Sequence, residues 1–549
     1  MDESTVAATF CATLVDEWAR GGVTDAVVAP GSRSTPITVA LARDHRLRVH
    51  VHVDERAAGF LALGLGLATG RPAVVVTTSG TAAVELHPAV VEADRAGVPL
   101  VVCTTDRPPE LHAVGAPQTV EQSGLYGRSV RAMVEPGVPR EDAAWSWRSL
   151  GSRAVLDATG RCPGPVHLNL AFTEPLLGQP GPLPPGRADG APWHRRVPMP
   201  PSAGVSEELR GRRGVIVAGR GSEPLMVGAV AEAYGWPVLA DPLSGWRGPG
   251  PMTIAGFDLL ARSEAWAEAH RPEAVVWMGA RPASKVLAAW LRDVEIQVVV
   301  DPTGRFADPH RRAGDLVDGL LGAPDPALAP PEWLLAWRAA DDTVQQVLQD
   351  TLGEGLTDPA VARTVAGAVA GGSTLVVSSS MPIRDVEWFG ATTEARVLAN
   401  RGANGIDGVV STAVGVALTG VPTVALVGDL AFLHDTNALL GAANRDVSLT
   451  VVVVDNDGGA IFSFLPQADA LSAEDFEALF GTPHGLDLVA VARAHGVDAA
   501  PIESLVDLAA AVAEPAPGVR VRVVRTDRQA NVGVHQRLYA AVARALGDL

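Results

Sequence analysis

The stretch VVVVDNDGGAIF, Val451 to Phe462, runs four β-branched residues straight into an acid, an amide, a second acid and two glycines. A continuous apolar run of this kind suits a strand covered on both faces, because β-branched side chains pack well on a pleated surface and parallel sheets are buried on both sides. In parallel sheets ligands gather at the carboxyl ends of the strands, where loops and helix N-termini leave donors unpaired. The polar cluster Asp455 to Gly459 stands at such an end. Upstream, PTVALVGDL closes a similar run on Gly428-Asp429, 27 residues before Asn456, which leaves room for one helix and one strand. The two strand ends are therefore expected to meet.

One carboxylate, one amide oxygen and a backbone carbonyl at a glycine make three hard oxygen ligands. They are too few for a protein-only cage and suit Mg²⁺ that completes its octahedron with phosphate oxygens and water. Seen alone, Asp-Asn-Asp-Gly-Gly after a strand is most often only a turn. Its pairing with Gly428-Asp429 is what points to a metal.

Further out, short β-branched runs such as DAVVAP, RVHVHVD, PAVVVTTSG and PLVVCTTD alternate with Ala/Leu-rich amphipathic stretches. Strands alternating with helices imply right-handed crossovers and parallel sheets. The expected fold class is α/β: three doubly wound parallel-sheet domains in series, over 1–180, 209–330 and 355–549, with a Pro/Gly-rich linker at 181–208. The C-terminal helix, HQRLYAAVARAL, has an apolar face expected to dock on its own domain.

At 549 residues the chain is too long for one core. A formal net charge of −18 disfavours a general nucleic-acid or anionic-membrane surface, so an anionic substrate must meet locally gathered arginines. Cys11, Cys103 and Cys162 are scattered and odd in number, without metal spacing, which fits a reducing interior. With no basic-then-apolar leader and no long apolar run, a cytoplasmic protein is expected.

The Gly-Asp and Asp-Asn pair makes the third block resemble the thiamine-diphosphate enzymes, whose signature is Gly-Asp followed some two dozen residues later by Asn-Asn or a near variant; here Asp455 stands for the first Asn. The resemblance implies thiamine diphosphate as cofactor, with Mg²⁺ or Mn²⁺ held by Asp429, Asn456 and the carbonyl of Gly458. It also implies a strand-end glutamate, matched by Glu55 in VHVHVDERAAGF, that exchanges a proton with the pyrimidine ring nitrogen and faces the diphosphate domain of another subunit. A homodimer or homotetramer follows. Thr78, Ser79, Gly80, Ile406, Gly428, Leu430 and Ile461 complete the implied cofactor contacts, with Ile406 as the apolar prop.

APGSRSTP, TTSGTA, DRPPEL, GAPQTVEQ, SSSMPIRD, NRGANGIDGVVSTA, GDLAFLHD and DNDGGAIFSFLP narrow the likeness. Together they are similar to the 2-succinyl-5-enolpyruvyl-6-hydroxy-3-cyclohexene-1-carboxylate synthases, over most of the first and third blocks and more loosely in the middle. That branch implies decarboxylation of 2-oxoglutarate and conjugate addition to isochorismate in menaquinone biosynthesis. Both substrates are dicarboxylates, and Arg33, Arg107, Arg384 and Arg401, with Ser32, Gln118 and Ser380 as neutral partners, are the candidate pocket. Lys285 in GARPASK is a further contact, while Phe462 and Leu465 line the aliphatic parts. Val286 and Pro117 stand where the family carries Arg and Asn, which puts one carboxylate and one amide contact in doubt.

Two alternatives stay open. An acetolactate-synthase-like carboligase would bind FAD in the middle block, where Gly219-Arg220-Gly221 is only a fragment of a dinucleotide loop. A non-catalytic diphosphate sensor would use the same metal site but leave Glu55 and the arginines without a task. His50 and His52 alternate on one strand without a third metal partner, and Trp145, Trp147, Trp333 and Trp337 are expected to pack.

Overall fold

The computed structural model describes residues 2–196, 207–318 and 328–547. Three six-stranded sheets follow one another along the chain, and every pairing among the described strands is parallel. The first holds β1 (Asp25–Val28), β2 (Arg48–Val51), β3 (Ala73–Thr77), β4 (Leu100–Asp106), β5 (Met133–Val134) and β6 (Pro165–Ala171), ordered β2-β1-β3-β4-β6-β5. The second holds β7 (Gly214–Ala218), β8 (Val238–Ala240), β9 (Thr253–Ile254), β10 (Ala274–Met278), β11 (Ile296–Val300) and β12 (Asp315–Val317), ordered β12-β11-β10-β7-β8-β9. The third holds β13 (Thr374–Val377), β14 (Arg396–Leu398), β15 (Thr423–Gly428), β16 (Ser448–Asp455), β17 (Asp498–Ile502) and β18 (Gly518–Arg525), ordered β14-β13-β15-β16-β18-β17.

Each order has a switch point, between β1 and β3, between β7 and β10, and between β13 and β15, and the first and third orders turn back once more at the far edge, where β6 lies inside β5 and β18 inside β17. At such a switch point the crossovers leave to opposite sides and open a crevice at the strands' carboxyl ends. In the middle sheet the pairing of β7 with β10 continues past the strand ends, since Gly219 N–H donates to the Met278 carbonyl at 2.9 Å and Ala280 N–H to the Arg220 carbonyl at 2.8 Å. The central strands are dry: Val451, Val452 and Val453 are fully buried, each contributing about 1.5 to 3 kcal/mol relative to exposure.

The chain packs as two compact units. One takes in 1–198, 400–420 and 434–447 and contains the first sheet; the other takes in 199–399, 421–433 and 448–549 and contains the second and third. Within the first unit the helices Glu55–Thr69 and Val409–Ala417 meet backbone to backbone. A Cβ at Gly64 would lie 2.1 Å from the Thr412 carbonyl oxygen, and one at Gly415 would lie 2.1 Å from that of Leu61. Residues 181–196 of the expected linker are tied to this unit: Gly181 N–H donates to Thr9 Oγ1 at 2.9 Å, Arg148 to the Pro184 carbonyl at 2.8 Å, and Trp193 N–H to Glu17 at 2.8 Å. Residues 197–206 of that linker lie outside the described residues.

In the second unit the C-terminal helix, Arg528–Gly547, departs from expectation. Its face of Val534, Leu538, Val542 and Leu546 joins the core of the second sheet with Leu260, Trp333 and Trp337, not the core of its own sheet. The Pro331–Leu352 helix, which presents those tryptophans, offers a broad apolar surface that an i, i+4 stripe matches. Trp145 is a second correction: it is 82% exposed, whereas Trp147, Trp333 and Trp337 are buried. His50 pairs with Asp25 at 2.8 Å, and His52 accepts the Asp54 N–H at 3.1 Å. Among the described residues no helix is long and apolar enough to cross a membrane.

Candidate functional site

β15 and β16 are neighbours, with Gly428 in register with Val454, so Asp429 and Asp455-Asn456 leave the third sheet side by side. The Asp429 carboxylate is encircled by amides. Oδ1 accepts from Leu430 N–H at 2.6 Å, and Oδ2 accepts from Gly458 N–H at 2.8 Å and Asn456 N–H at 3.2 Å. Burial pushes this carboxyl above its ordinary range despite those donors. Gly458 meets Asp429 through its N–H and has φ +135°; a Cβ there would lie 2.0 Å from the Gly481 carbonyl oxygen, so the close approach of the 481 segment requires glycine.

Asn456 is buried, its Nδ2 donates to Asp358 at 3.2 Å, and its Oδ1 has no hydrogen-bond partner. An unpartnered amide oxygen in a buried site is costly, and a cation would satisfy it. Asp455 binds Arg525 at 2.5 Å through Oδ2.

The sequence reading missed His484. Its buried Nε2, without a hydrogen-bond partner, lies 3.4 Å from Asp429 Oδ2 and 3.5 Å from Asp455 Oδ1. Ligand atoms of Asp429, Asp455 and His484 all fall within 4.8 Å of one another. Asp457, at φ 59°, holds the histidine segment by accepting the N–H groups of Gly485 at 2.8 Å and His484 at 2.9 Å, and these amides keep its carboxyl below the usual range. The donors, two carboxylates and an orphaned amide oxygen beside an imidazole, fit a divalent cation.

Around this point, Ile461 and Phe462 lie on the Ala460–Phe464 turn with Leu465 just beyond, all half-buried. Ser380, at φ 73°, ends the β13 loop at the switch point, and its carbonyl accepts from Arg384 at 2.6 Å. Lys285 is exposed at the start of the Lys285–Leu291 helix of the second sheet, with Val286 packed against that core.

The first unit gathers a second set at the β1/β3 switch point. Arg107 Nη1 donates to Ser79 Oγ and to the Gln118 carbonyl at 3.0 Å, and Gln118 Nε2 donates to the Ser79 carbonyl at 3.0 Å. Gln122 accepts the Gly80 N–H at 3.0 Å. Arg33 donates to the Phe172 carbonyl at 2.8 Å, while Ser32 is exposed and Thr78 buried. Burial, with the nearby Arg33 charge, draws the Arg107 guanidinium below its ordinary value.

Glu55 is the first residue of its helix and is half-buried. Its neighbours are anchored: Asp54 caps the helix at Ala57 N–H (2.9 Å) and accepts from Asn437 at 2.7 Å, and Arg56 donates to the His434 carbonyl at 2.7 Å. Asp435, beside them, accepts from Ser411 N–H at 2.7 Å and Oγ at 2.9 Å; burial pushes its carboxyl up to about 7. Arg401 and Ile406 sit on the 400–408 loop, which is pinned where buried Glu92 accepts Gly402 N–H at 2.7 Å and Ala403 N–H at 2.6 Å. That loop borders a cavity of about 330 Å³ lined by Phe60, His87, Val91, Glu92 and Asp407. Glu92, Asp435 and Asn437 carry no local sequence signal, because each acts on chain hundreds of residues away or on a separate loop.

Comparison with known proteins finds a family profile in each of three successive segments of the chain. Residues 8–125 match the family profile of the thiamine pyrophosphate enzyme N-terminal TPP binding domain, 191–377 that of the middle domain of thiamine pyrophosphate, and 386–525 that of the C-terminal TPP binding domain. The chain is 45% identical to the 2-succinyl-5-enolpyruvyl-6-hydroxy-3-cyclohexene-1-carboxylate synthase of Thermobifida fusca, over 97% of this chain and 98% of the relative. It is 44% identical to the synthase so named from Myxococcus xanthus, over 97% of each, and 39% identical to that of Bacillus velezensis, over 97% of each. The chain belongs to the thiamine pyrophosphate enzymes, in the 2-succinyl-5-enolpyruvyl-6-hydroxy-3-cyclohexene-1-carboxylate synthase family.

Proposed function

We propose that the chain takes 2-oxoglutarate and isochorismate to 2-succinyl-5-enolpyruvyl-6-hydroxy-3-cyclohexene-1-carboxylate with release of carbon dioxide, a step of menaquinone biosynthesis, using thiamine diphosphate and Mg²⁺ or Mn²⁺ in a homodimer or homotetramer. The observation that carries this reading is the buried Asp429 carboxylate, bonded to the backbone N–H of an Asn456 whose own Oδ1 is buried and unpartnered, in a chain 45% identical to a synthase of that name. Thiamine diphosphate, when bound, supplies a nucleophilic thiazolium carbon and a sink for the electron pair left by the departing carboxylate.

Asp429, Asn456 and the carbonyl of Gly458 would hold the cation, and through it the diphosphate end, with His484 alongside. Glu55 moves a proton at the pyrimidine ring nitrogen, and Ile406 supports the ring. Arg33, Arg107, Arg384, Arg401 and Lys285 set positive charge against the substrate carboxylates in a chain of net charge −18.

The test is an assay with thiamine diphosphate, Mg²⁺ and 2-oxoglutarate, with and without isochorismate, following carbon dioxide and coupled product. Product formed only when isochorismate is present supports the reading. Acetolactate-type product, or no carbon dioxide at all, removes it.

A further inference from the structure

Asn456 offers two ends of nearly equal size, and only one of them, Oδ1, can bind a cation; the other carries two donated protons. Something must decide which end faces the ion. The structure supplies one group able to do so. Asp358 is buried, accepts Asn456 Nδ2 at 3.2 Å through Oδ2, and accepts Asn531 Nδ2 at 3.1 Å through the same oxygen. The Oδ2 atom of Asp358 accepts from both amides, so it selects the Nδ2 end of Asn456 and turns Oδ1 the other way, where it is left without a partner.

Resting on the cation reading above, we infer that Asp358 is a positioning residue for the cation site, fixing the amide of Asn456 so that its oxygen is presented to the ion. Metal ligands are held in orientation by such outer partners, and losing one typically weakens metal binding by about 10- to 100-fold.

The plainer role for Asp358 is to serve its own helix, Asp358–Ala368, as an acid in the first turn. That role does not account for the contact. The helix is capped by Thr357, whose side chain accepts the Ala360 N–H, and an acid serving a helix end gains nothing from being buried against two amides on other elements. Asn531 belongs to the C-terminal helix, so Asp358 is itself held from a second side. A cavity of about 20 Å³ borders the pair, lined by Asp358, Asp385, Gly428 and Asn456 among others. It is close to the space of a single water, so a released Asn456 amide would have room to turn.

The experiment measures Mn²⁺ affinity of the full chain with thiamine diphosphate present, from the free-ion electron paramagnetic resonance signal, for wild type, Asn456→Ala, Asp358→Leu and Asp358→Asn. The leucine is close in shape and cannot accept; the asparagine can place its own Oδ1 where both amides donate. We expect Asn456→Ala and Asp358→Leu each to weaken Mn²⁺ by about 10- to 100-fold and Asp358→Asn to stay within about threefold of wild type. Asp358→Ala, which likewise cannot accept, repeats the measurement if the leucine variant does not fold.

Wild-type affinity in the non-accepting variants, with Asn456→Ala weakened, would overturn the inference alone. An equal loss in Asp358→Asn and Asp358→Leu would also overturn it, since charge or packing and not amide orientation would then be responsible. Unchanged affinity in Asn456→Ala would overturn both the inference and the cation reading beneath it.

Discussion

Glu92→Gln tests whether the 400–408 loop is held by charge-assisted bonds to one buried carboxylate. Glu92 gives one oxygen to Gly402 N–H at 2.7 Å and the other to Ala403 N–H at 2.6 Å. Glutamine keeps the length but has one acceptor and one NH₂ group, so one backbone N–H loses its acceptor and faces a donor. Hydrogen bonds to a charged group are each worth about 1.5 to 3 kcal/mol. The substitution removes one and discharges the other, a local cost of about 2 to 3 kcal/mol. At about 1.4 kcal/mol per factor of ten, opening of the loop becomes about 30- to 150-fold more frequent. Hydrogen exchange by mass spectrometry on a peptide spanning the loop should show Gly402 and Ala403 exchanging faster by that factor, while β3 and β4 are unaffected. Because Arg401 precedes Gly402, KM for 2-oxoglutarate should rise more than kcat falls. Exchange within about threefold of wild type, together with an unchanged KM, would refute the reasoning.

Glu55→Gln should bind thiamine diphosphate within a few-fold of wild type yet lose about 10²- to 10⁴-fold in turnover; a near-normal rate would remove Glu55 from proton transfer. Gly458→Ala places a Cβ 2.0 Å from the Gly481 carbonyl at φ +135°, a cost of about 3 kcal/mol or more from strain and overpacking, so melting temperature and Mn²⁺ affinity should both fall, and an unchanged melt would contradict the packing. Asp435, with its carboxyl pushed up to about 7 from 3.8, binds its proton more tightly folded than unfolded, so its contribution is full below about pH 4 and is lost as pH rises through 7. Asp435→Asn lacks that titration; relative to wild type it should gain up to about 4 kcal/mol across the window, and a melting-temperature gap that stays constant from pH 5 to 8 would refute this. Chelation followed by gel filtration should abolish carbon dioxide release, with recovery on adding Mg²⁺ or Mn²⁺; activity that survives chelation would deny the cation its part.

The third sheet was readable because buried parallel strands write themselves as unbroken valine runs, and the polar residues that end β15 and β16 fall at a spacing fixed by one crossover. Asp429 and Asn456 thus declared their meeting in advance. His484 did not: it reaches the same point from a segment held by the Asp457 side chain, and no periodicity links GTPHG to the strand ends. Asp358 carried no local signal for its contact, because its partners Asn456 and Asn531 are 98 and 173 residues away. The docking of the C-terminal helix was misread for the same reason. An apolar stripe at i, i+4 spacing declares that a face is buried and says nothing of which surface buries it; the tryptophans of another block, Trp333 and Trp337, proved the better match.

Glu55 stands between two residues that the fold will not release. Asp54 is fixed by Ala57 N–H and Asn437, and Arg56 by the His434 carbonyl, while Glu55 itself serves neither bond. The position is consequently a socket: its backbone is held by bonds that its neighbours make, and its own side chain makes neither of them. An engineer who wants a different acid, or a thiol or imidazole, at this place can substitute residue 55 alone and inherit the alignment.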